Sequence, residues 1–535
     1  MTYPIKRSQR PKQLHKVRFV SRAMASTATP QHTPPRSETE TETAESSSDS
    51  TSKNSQVQPS ISFDELASEP ESAEEEIWQD EPASPVTMTT TYQIPSLFTQ
   101  QPPIHDFLAT ETSEKQDDVV ETCLPFLSAQ SDEFSYYNEH GVPHLLREKH
   151  INFCHKQLNP LPAPFTKADS ARPWFFYWTL TALSALGEDV GQYRERLIST
   201  VTPLQNSTGG FGGGHGQMSH LATTYATVLS LAMVGGEDAI DVIDRKAMWQ
   251  WLSRLKQSDG GFQMSIGGEV DVRGAYCAAM LVKLLRLPLH LAEGSPAKTD
   301  DTFNLFTGLG EYVTRCQTYE GGIASRPDTE AHGAYAFCAL ACLCILGDPR
   351  VTLPKYLDVP TLISWLSSRQ YAPEGGFAGR TNKLVDGCYS HWIGGCWPLL
   401  DACLAGSGAS PGAIHNDSLY SREALTRYIL CCGQDTTKRG GLRDKPGMFS
   451  DGYHTCYLLV GLSSAQHKWS LQTPADDTLT SLGWTSETYP RKEEDGYVQV
   501  FSEEDRVKSI HPVYVIPEGI AERVMQYCDS QEHFS

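Results

Sequence analysis

GGIASRPDTEAHGAYAFCALACL, residues 321–343, shows the plan of the chain in one copy. Two glycines open it, the titratable residue His332 stands eleven positions after the first, and an apolar segment rich in small residues follows. The grammar recurs: pairs begin at Gly209, Gly260, Gly321, Gly375 and Gly440, and eleven residues on from each stand His220, Asp271, His332, Asp386 and Asp451. A repeat of about 50 to 65 residues copies one supersecondary unit along an array, so equivalent positions face the same place. If the array closes into a ring, the five polar positions converge on one site.

Upstream of the glycines lie amphipathic stretches that end near a glutamine: 245–252 leads to Gln257, 305–315 to Gln317 and 362–369 to Gln370. They read as helices with one wet face. Downstream segments, such as 225–232 and 333–343, are apolar all round and read as helices buried on every side. Strand patterns are nearly absent. The spacing therefore predicts an all-α fold, an α/α toroid barrel of two concentric helix rings built from Gly-Gly-punctuated repeats.

The first 95 residues differ in kind. Lys6, Arg7, Arg10, Lys12, Lys16, Arg18 and Arg22 make a basic, acid-free start, whereas between Ser37 and Glu81 the only basic residue is Lys53. The basic start reads as a plain tail rather than a transit peptide, because an acidic run follows without a folded boundary. Few residues here can build a core, so residues 1–95 are expected to be a disordered basic-then-acidic tail. Residues 96–535 are expected to form the barrel domain, interrupted by a charged insert at about 470–508. The formal charge of −21 makes nucleic acid or an anionic membrane an unnatural partner. Fourteen cysteines without a signal peptide or CxxC pair read as reduced core thiols. No apolar run is long enough to cross a bilayer. These features lead us to expect a cytoplasmic protein.

Asp386, Cys388 and His454 follow their glycine pairs by eleven, thirteen and fourteen residues, so neighbouring copies would bring a carboxylate, a thiol and an imidazole together. Three protein ligands and an open fourth position describe a catalytic zinc site. The plainer alternatives are an N-cap for an Asp just before a helix and core packing for a Cys beside an aromatic. Asp271 and Asp451 read as caps, and on spacing alone Asp386 does too. Arg273, Arg380 and Lys383 share the same loops with His332 and Tyr389, a donor set suited to a phosphate or diphosphate. The competing expectation is that Arg380 and Lys383 pair with loop carboxylates. Trp174, Trp178, Tyr225, Tyr276, Tyr335, Trp392, Tyr453 and Tyr457 stand near the starts of the inner helices, either as core or as the lining for a long apolar ligand.

The stretches 171–178, 267–273, 330–335, 382–390, 444–447 and 453–457, with His511-Pro512-Val513-Tyr514, together resemble the β subunits of protein farnesyltransferases. The resemblance runs from about Arg147 through all five copies; the acidic tail and the charged insert fall outside it. It implies that Asp386, Cys388 and His454 ligate zinc, whose vacant position takes the cysteine thiol of a protein ending in C-a-a-X. It implies that His332, Arg380, Lys383 and Tyr389 hold the head group of farnesyl diphosphate, with Arg273 and Tyr276 near the isoprenoid and Tyr335, Cys338 and Trp392 among the residues that bind farnesyl diphosphate. Trp174, Trp178, His220, Tyr225, Tyr453 and Tyr457 would form the peptide and chain-length pocket, and Asp444 would be associated with magnesium. The implied partners are a helical α subunit, farnesyl diphosphate and C-a-a-X proteins such as Ras-like GTPases.

Trp174, Tyr457 and Asp444 favour farnesyl over the geranylgeranyl type I alternative, whose members carry smaller or less polar residues at the first two positions and as a rule Lys at the third. Ala171 stands where a Ser is usual and Thr223 where a Pro is common, which leaves the preferred last residue of the peptide open. A terpene cyclase would need aspartate-rich motifs that neither Asp300-Asp301 nor Asp476-Asp477 completes. A catalytically silent binding barrel would show broken ligand positions, and all three are intact.

Overall fold

A computed structural model describes residues 94–102, 108–300, 302–405, 419–472, 483–489 and 498–531. All of these belong to the unit Gln79–Ser535; the unit Met1–Trp78 lies outside the described residues, and with it all of the expected tail up to residue 93. Residues 473–482 and 490–497 of the expected insert, with Asp476-Asp477, and Asp301 also lie outside them.

Seven helices make the inner ring: α1 (Arg172–Leu186), α2 (Leu221–Val234), α3 (Val272–Leu284), α4 (Gly333–Leu346), α5 (Tyr389–Trp392), α6 (Cys396–Leu404) and α7 (Gly452–Gln466). α1 packs on α2, α2 on α3, α3 on α4, α4 on both α5 and α6, α5 on α7, and α7 on α1, so the ring closes. Outside it run Arg147–Gln157, Arg194–Val201, Arg245–Leu255, Leu309–Cys316, Val359–Ser367 and Arg422–Arg427. The sorting follows polarity. On α4 Phe337, Leu340 and Leu343 are buried among small residues, each burial contributing about 1.5–3 kcal/mol, whereas Arg245–Leu255 keeps one charged face in water.

Four of the five column residues, His220, Asp271, His332 and Asp451, are N-caps. Asp271 accepts the N–H groups of Arg273 and Gly274, and Asp451 accepts that of His454. His220 and His332 accept those of Ala222 and Ala334 through Nδ1. Just past the column residue of each of the first four copies a backbone N–H is tied to the loop of the following copy: Leu221 to the Met264 carbonyl (2.7 Å), Val272 to Ser325 (2.8 Å), Gly333 to Gly379 (2.8 Å) and Gly387 to Asp444 (3.1 Å). The glycine-led loops thus form one strip at the end of the ring where the inner helices begin.

The glycines let that strip lie against the outer ring. Gly260 has φ +96°, and a Cβ there would sit 2.0 Å from the Gly308 carbonyl oxygen. In the fifth copy the equivalent partner of Gly440 is Lys149, in the first outer helix, so the outer ring closes as well. Each second glycine lies under an aromatic ring of the neighbouring outer helix: Trp251, Tyr312, Trp365, Tyr428 and, across the closure, Phe153.

Four of the repeat glutamines clamp the backbone ahead of the next outer helix. Gln317 accepts from the Asp358 N–H (2.8 Å) and donates to its carbonyl (3.0 Å), and Gln370 does the same with Ser421. Gln205 clamps Asp244 and Val242, and Gln434 clamps Leu146 and His144 across the closure. Gln257 alone among the five turns back to Leu255 and Lys256.

The chain then departs from the repeat. β1 (His467–Gln472) pairs antiparallel with β2 (Gly483–Thr488), a hairpin the all-helical reading did not anticipate. Around what was read as a charged insert, Trp469, Trp484, Val500 and Phe501 are buried. Apolar residues alternate along Lys468-Trp469-Ser470-Leu471, and burial of that one face decides for a strand.

Candidate metal centre and the wall beside it

Cys388 holds the N-cap position of α5 without a side-chain capping bond, Asp386 stands two residues before it, and His454 lies in the first turn of α7. Packing α5 against α7 brings one ligand atom of each within 4.8 Å of the others. Asp386 Oδ1 accepts the Cys388 N–H (2.8 Å) and lies 3.2 Å from His454 Nε2. His454 Nδ1 sits 2.7 Å from Asp451 Oδ2, so Asp451 caps the helix with one oxygen and fixes the imidazole with the other, leaving Nε2 facing Asp386.

Burial works to raise the Asp386 pKa, but the hydrogen bond and charge of His454 hold it below the usual carboxylate range. Burial opposes protonation of His454, but Asp451 and Asp386 together push its pKa well above the usual imidazole value. Burial and then the Asp386 carboxylate drive the Cys388 thiol well above its ordinary pKa. Beside them Asp444, bound to Lys445, is raised to about 6 by burial and by Asp386. One sulfur, one nitrogen and one oxygen donor amid a surplus of carboxylates fit a divalent cation of zinc's type.

His332 lies 57 residues from Tyr389 in sequence, and its Nε2 is 3.1 Å from the Tyr389 hydroxyl. Burial, and then Arg380, lower the His332 pKa to about 4, so the ring is neutral near pH 7. Because Nδ1 accepts the Ala334 N–H, the proton sits on Nε2 and is donated to Tyr389, whose own O–H is free to donate onward. Arg380 is engaged by Glu330, as its ion-pair alternative had it, and Arg273 is paired too, with Asp271 and Glu269. Lys383 is exposed on the loop ahead of α5.

The aromatic candidates form one connected wall. Trp174 lies 5.6 Å from Trp178 and 5.9 Å from Tyr225, and Tyr225 lies 5.5 Å from Tyr276, ring centre to ring centre. Trp178 is 5.3 Å from Tyr453, Tyr453 is 4.9 Å from Tyr457, and Trp392 is 4.6 Å from Tyr457. Trp392 Nε1 donates to the Tyr453 hydroxyl (3.1 Å), and the Tyr453 ring lies 5.1 Å from that of His454, which joins the wall to the metal centre. Tyr335 stacks near His332 at 5.3 Å, Cys338 is buried on α4, and His220 caps α2. The sequence reading missed His391, buried with its ring 5.2 Å from Tyr457 and 4.4 Å from Phe337, and nothing in its spacing marks it. It also missed the second oxygen of Asp451, although the three-residue step to His454 is the signal that would have found it.

Asp451→Asn keeps a cap-competent side chain but weakens the grip on His454 Nδ1. It is expected to lower metal affinity about 10- to 100-fold, measured by competition with a chromophoric chelator. Unchanged affinity would return Asp451 to a plain cap.

Residues 145–516 match the family described as prenyltransferase alpha-alpha toroid domain, which is the class that the closed double ring and its rim define. A protein farnesyltransferase β subunit of Pyricularia oryzae is 58% identical over 445 residues, covering 82% of this chain and 85% of that one. The one from Schizosaccharomyces pombe is 37% identical over 423 residues, covering 79% and 98%. The chain belongs to the protein farnesyltransferase β-subunit family. Among solved structures, a Candida albicans protein geranylgeranyltransferase-I complexed with GGPP shares the fold, with a TM-score of 0.53 and 22% identity over 72% of this chain and 99% of that one. Among the described residues no helix is long and apolar enough to cross a membrane, and the fourteen cysteines are all buried free thiols.

Proposed function

We propose that the chain works in the cytoplasm as the catalytic subunit of a protein farnesyltransferase, moving a farnesyl group from farnesyl diphosphate to the cysteine of C-a-a-X proteins such as Ras-like GTPases. The observation that carries this reading is the meeting, on one rim, of the Asp386–Cys388–His454 donor set with an unbroken aromatic wall. Asp386, Cys388 and His454 would hold zinc, and Asp444 would hold magnesium. Bound there, zinc lowers the pKa of an incoming cysteine so that a thiolate exists near neutral pH.

The chain's own groups do the rest. Inner helices begin at this rim and turn the positive ends of their dipoles toward it, a setting for an anion. The Tyr389 hydroxyl, polarised by His332 Nε2–H, donates to a phosphate oxygen, and Arg380, Lys383 and Arg273 neutralise charge as the diphosphate departs. Arg380 can do so only by exchanging Glu330 for phosphate.

Trp174, Trp178, Tyr225, Tyr276, Trp392 and Tyr457 take the isoprenoid and the aliphatic residues of the peptide. Burying fifteen carbons contributes on the order of 10 kcal/mol, so affinity comes easily and discrimination must come from cavity depth. Large aromatics at Trp174 and Tyr457 favour the shorter chain over geranylgeranyl. A helical α subunit completes the diphosphate site.

A single-turnover assay of the purified chain, with and without that partner, decides the matter. With a C-a-a-X peptide, transfer from farnesyl diphosphate is expected in the complex only. Preference for the geranylgeranyl donor would overturn the chain-length assignment, and turnover by the lone chain would overturn the heterodimer requirement.

A further inference from the structure

The bore of the inner ring is entered from its other end by the loop 510–517, whose ends meet in a bridge between Ile510 and Pro517. His511 braces it: its N–H donates to the Ile516 carbonyl (2.8 Å), its carbonyl accepts from Val515 (2.9 Å), and its Nδ1 accepts from Val513 and Tyr514. Ser463 on α7 accepts the Ile510 N–H and donates to the Lys508 carbonyl, while the Lys508 N–H reaches Ala185 on α1. Val513, Tyr514, Val515 and Ile516 are buried.

The tip hangs from tyrosines of the ring. Tyr276 on α3 donates to the Val513 carbonyl (2.6 Å), and Tyr177 on α1 donates to the Val515 carbonyl (2.9 Å). A carbonyl can only accept, so the single Tyr276 proton is spent there, and Tyr225, 3.2 Å away, must donate to the Tyr276 oxygen. Tyr225 and Tyr276 are members of the aromatic wall, and helical side chains lean toward their N-termini, here the metal-centre end. The loop tip therefore stands inside the bore, under the same tyrosines that line the wall. Val515 has φ +56°, a region a β-branched residue adopts only when its surroundings impose it. The strained residue is the one whose carbonyl Tyr177 holds.

We infer that the loop 510–517 is the depth stop of the prenyl cavity, a specificity-determining element that sets, with Trp174 and Tyr457, the length of chain that fits. This deepens the function proposed above and rests on it. Tyr177 lies outside the residues assigned to the ligand but packs on Trp174 (5.8 Å) and Tyr225 (5.7 Å); Phe keeps those ring contacts and removes the hydroxyl that holds the loop.

The test uses the full heterodimer with Tyr177→Phe and, separately, Val515→Gly, which relieves the backbone strain and frees the tip. Farnesyl and geranylgeranyl diphosphate compete for one C-a-a-X peptide, and binding of each is read by quenching of tryptophan fluorescence. Both variants are expected to raise the geranylgeranyl-to-farnesyl ratio of kcat/KM by about tenfold or more, the size of effect that a change in apolar pocket depth produces. A ratio within about twofold of the unaltered complex, whatever the absolute rates, would overturn the inference and leave the loop a structural plug. If the unaltered complex transfers neither chain, the function proposed above fails, and the two binding constants then decide the depth stop on the same criterion.

Discussion

Cys388→Ala is expected to strip the metal centre and cut prenyl transfer to below about a hundredth, since loss of a mere supporting partner of a ligand already costs 10- to 100-fold. The substitution removes the only sulfur from the donor set and leaves Asp386 and His454 facing each other at 3.2 Å, a carboxylate–imidazolium pair that needs no ion. Elemental analysis of the purified heterodimer should then fall from one zinc toward none. Farnesyl diphosphate binding should persist, because His332, Tyr389 and the aromatic wall are untouched. Cys388 is buried and its small side chain is shortened by one atom, so the fold should hold. Retained stoichiometric zinc would count against the site; lost diphosphate binding would mean that the two halves of the rim are not independent.

Gly260→Ala is expected to destabilise the ring by more than about 3 kcal/mol, read as a lowered urea midpoint at unchanged slope. A methyl group at φ +96° would lie 2.0 Å from the Gly308 carbonyl oxygen and 2.4 Å from its carbon, both backbone atoms of the neighbouring copy. Neither can yield without moving the outer helix Leu309–Cys316. Gly267→Ala provides the comparison. It has φ +75° but nothing within 4 Å, so it should carry only the left-handed strain of about 1–2 kcal/mol. Equal losses at the two positions would show that the outer ring gives way freely.

The contrast between those glycines also explains what could be read in the sequence. The ring was legible because Gly-Gly and the residue eleven positions later recur at five places, and each requirement is local: a left-handed turn, then, in four of the five, a cap. The site was less so. Asp386, Cys388 and His454 made a weak signal on spacing, and family resemblance carried them, because α5 and α7 meet only in three dimensions. Arg380 was legible as a rim cation with ion pairing as the competing expectation, but its partner was not, since Glu330 lies fifty residues earlier in a neighbouring copy; Arg273 pairs with Glu269 and Asp271 on its own loop. The glutamines were visible only as punctuation; their clamping role depends on backbone that arrives some forty or fifty residues later. The loop 510–517 was noticed only as the end of the resemblance, because its role lies in hydroxyls from α1 and α3.

The seam between Gln434 and Leu146 joins residues 288 apart, and it changes what the copies can do independently. An open solenoid can be trimmed or extended by a unit, since every rung rests only on its neighbours. Here deletion of any copy would leave the first and last units out of reach of each other, so copy number is locked. Synthesis inherits the same constraint: a nascent chain halted before residue 454 could have four rungs but only two of the three metal ligands. Late truncations should therefore forfeit chemistry and circular closure together, rather than whittling either away by degrees.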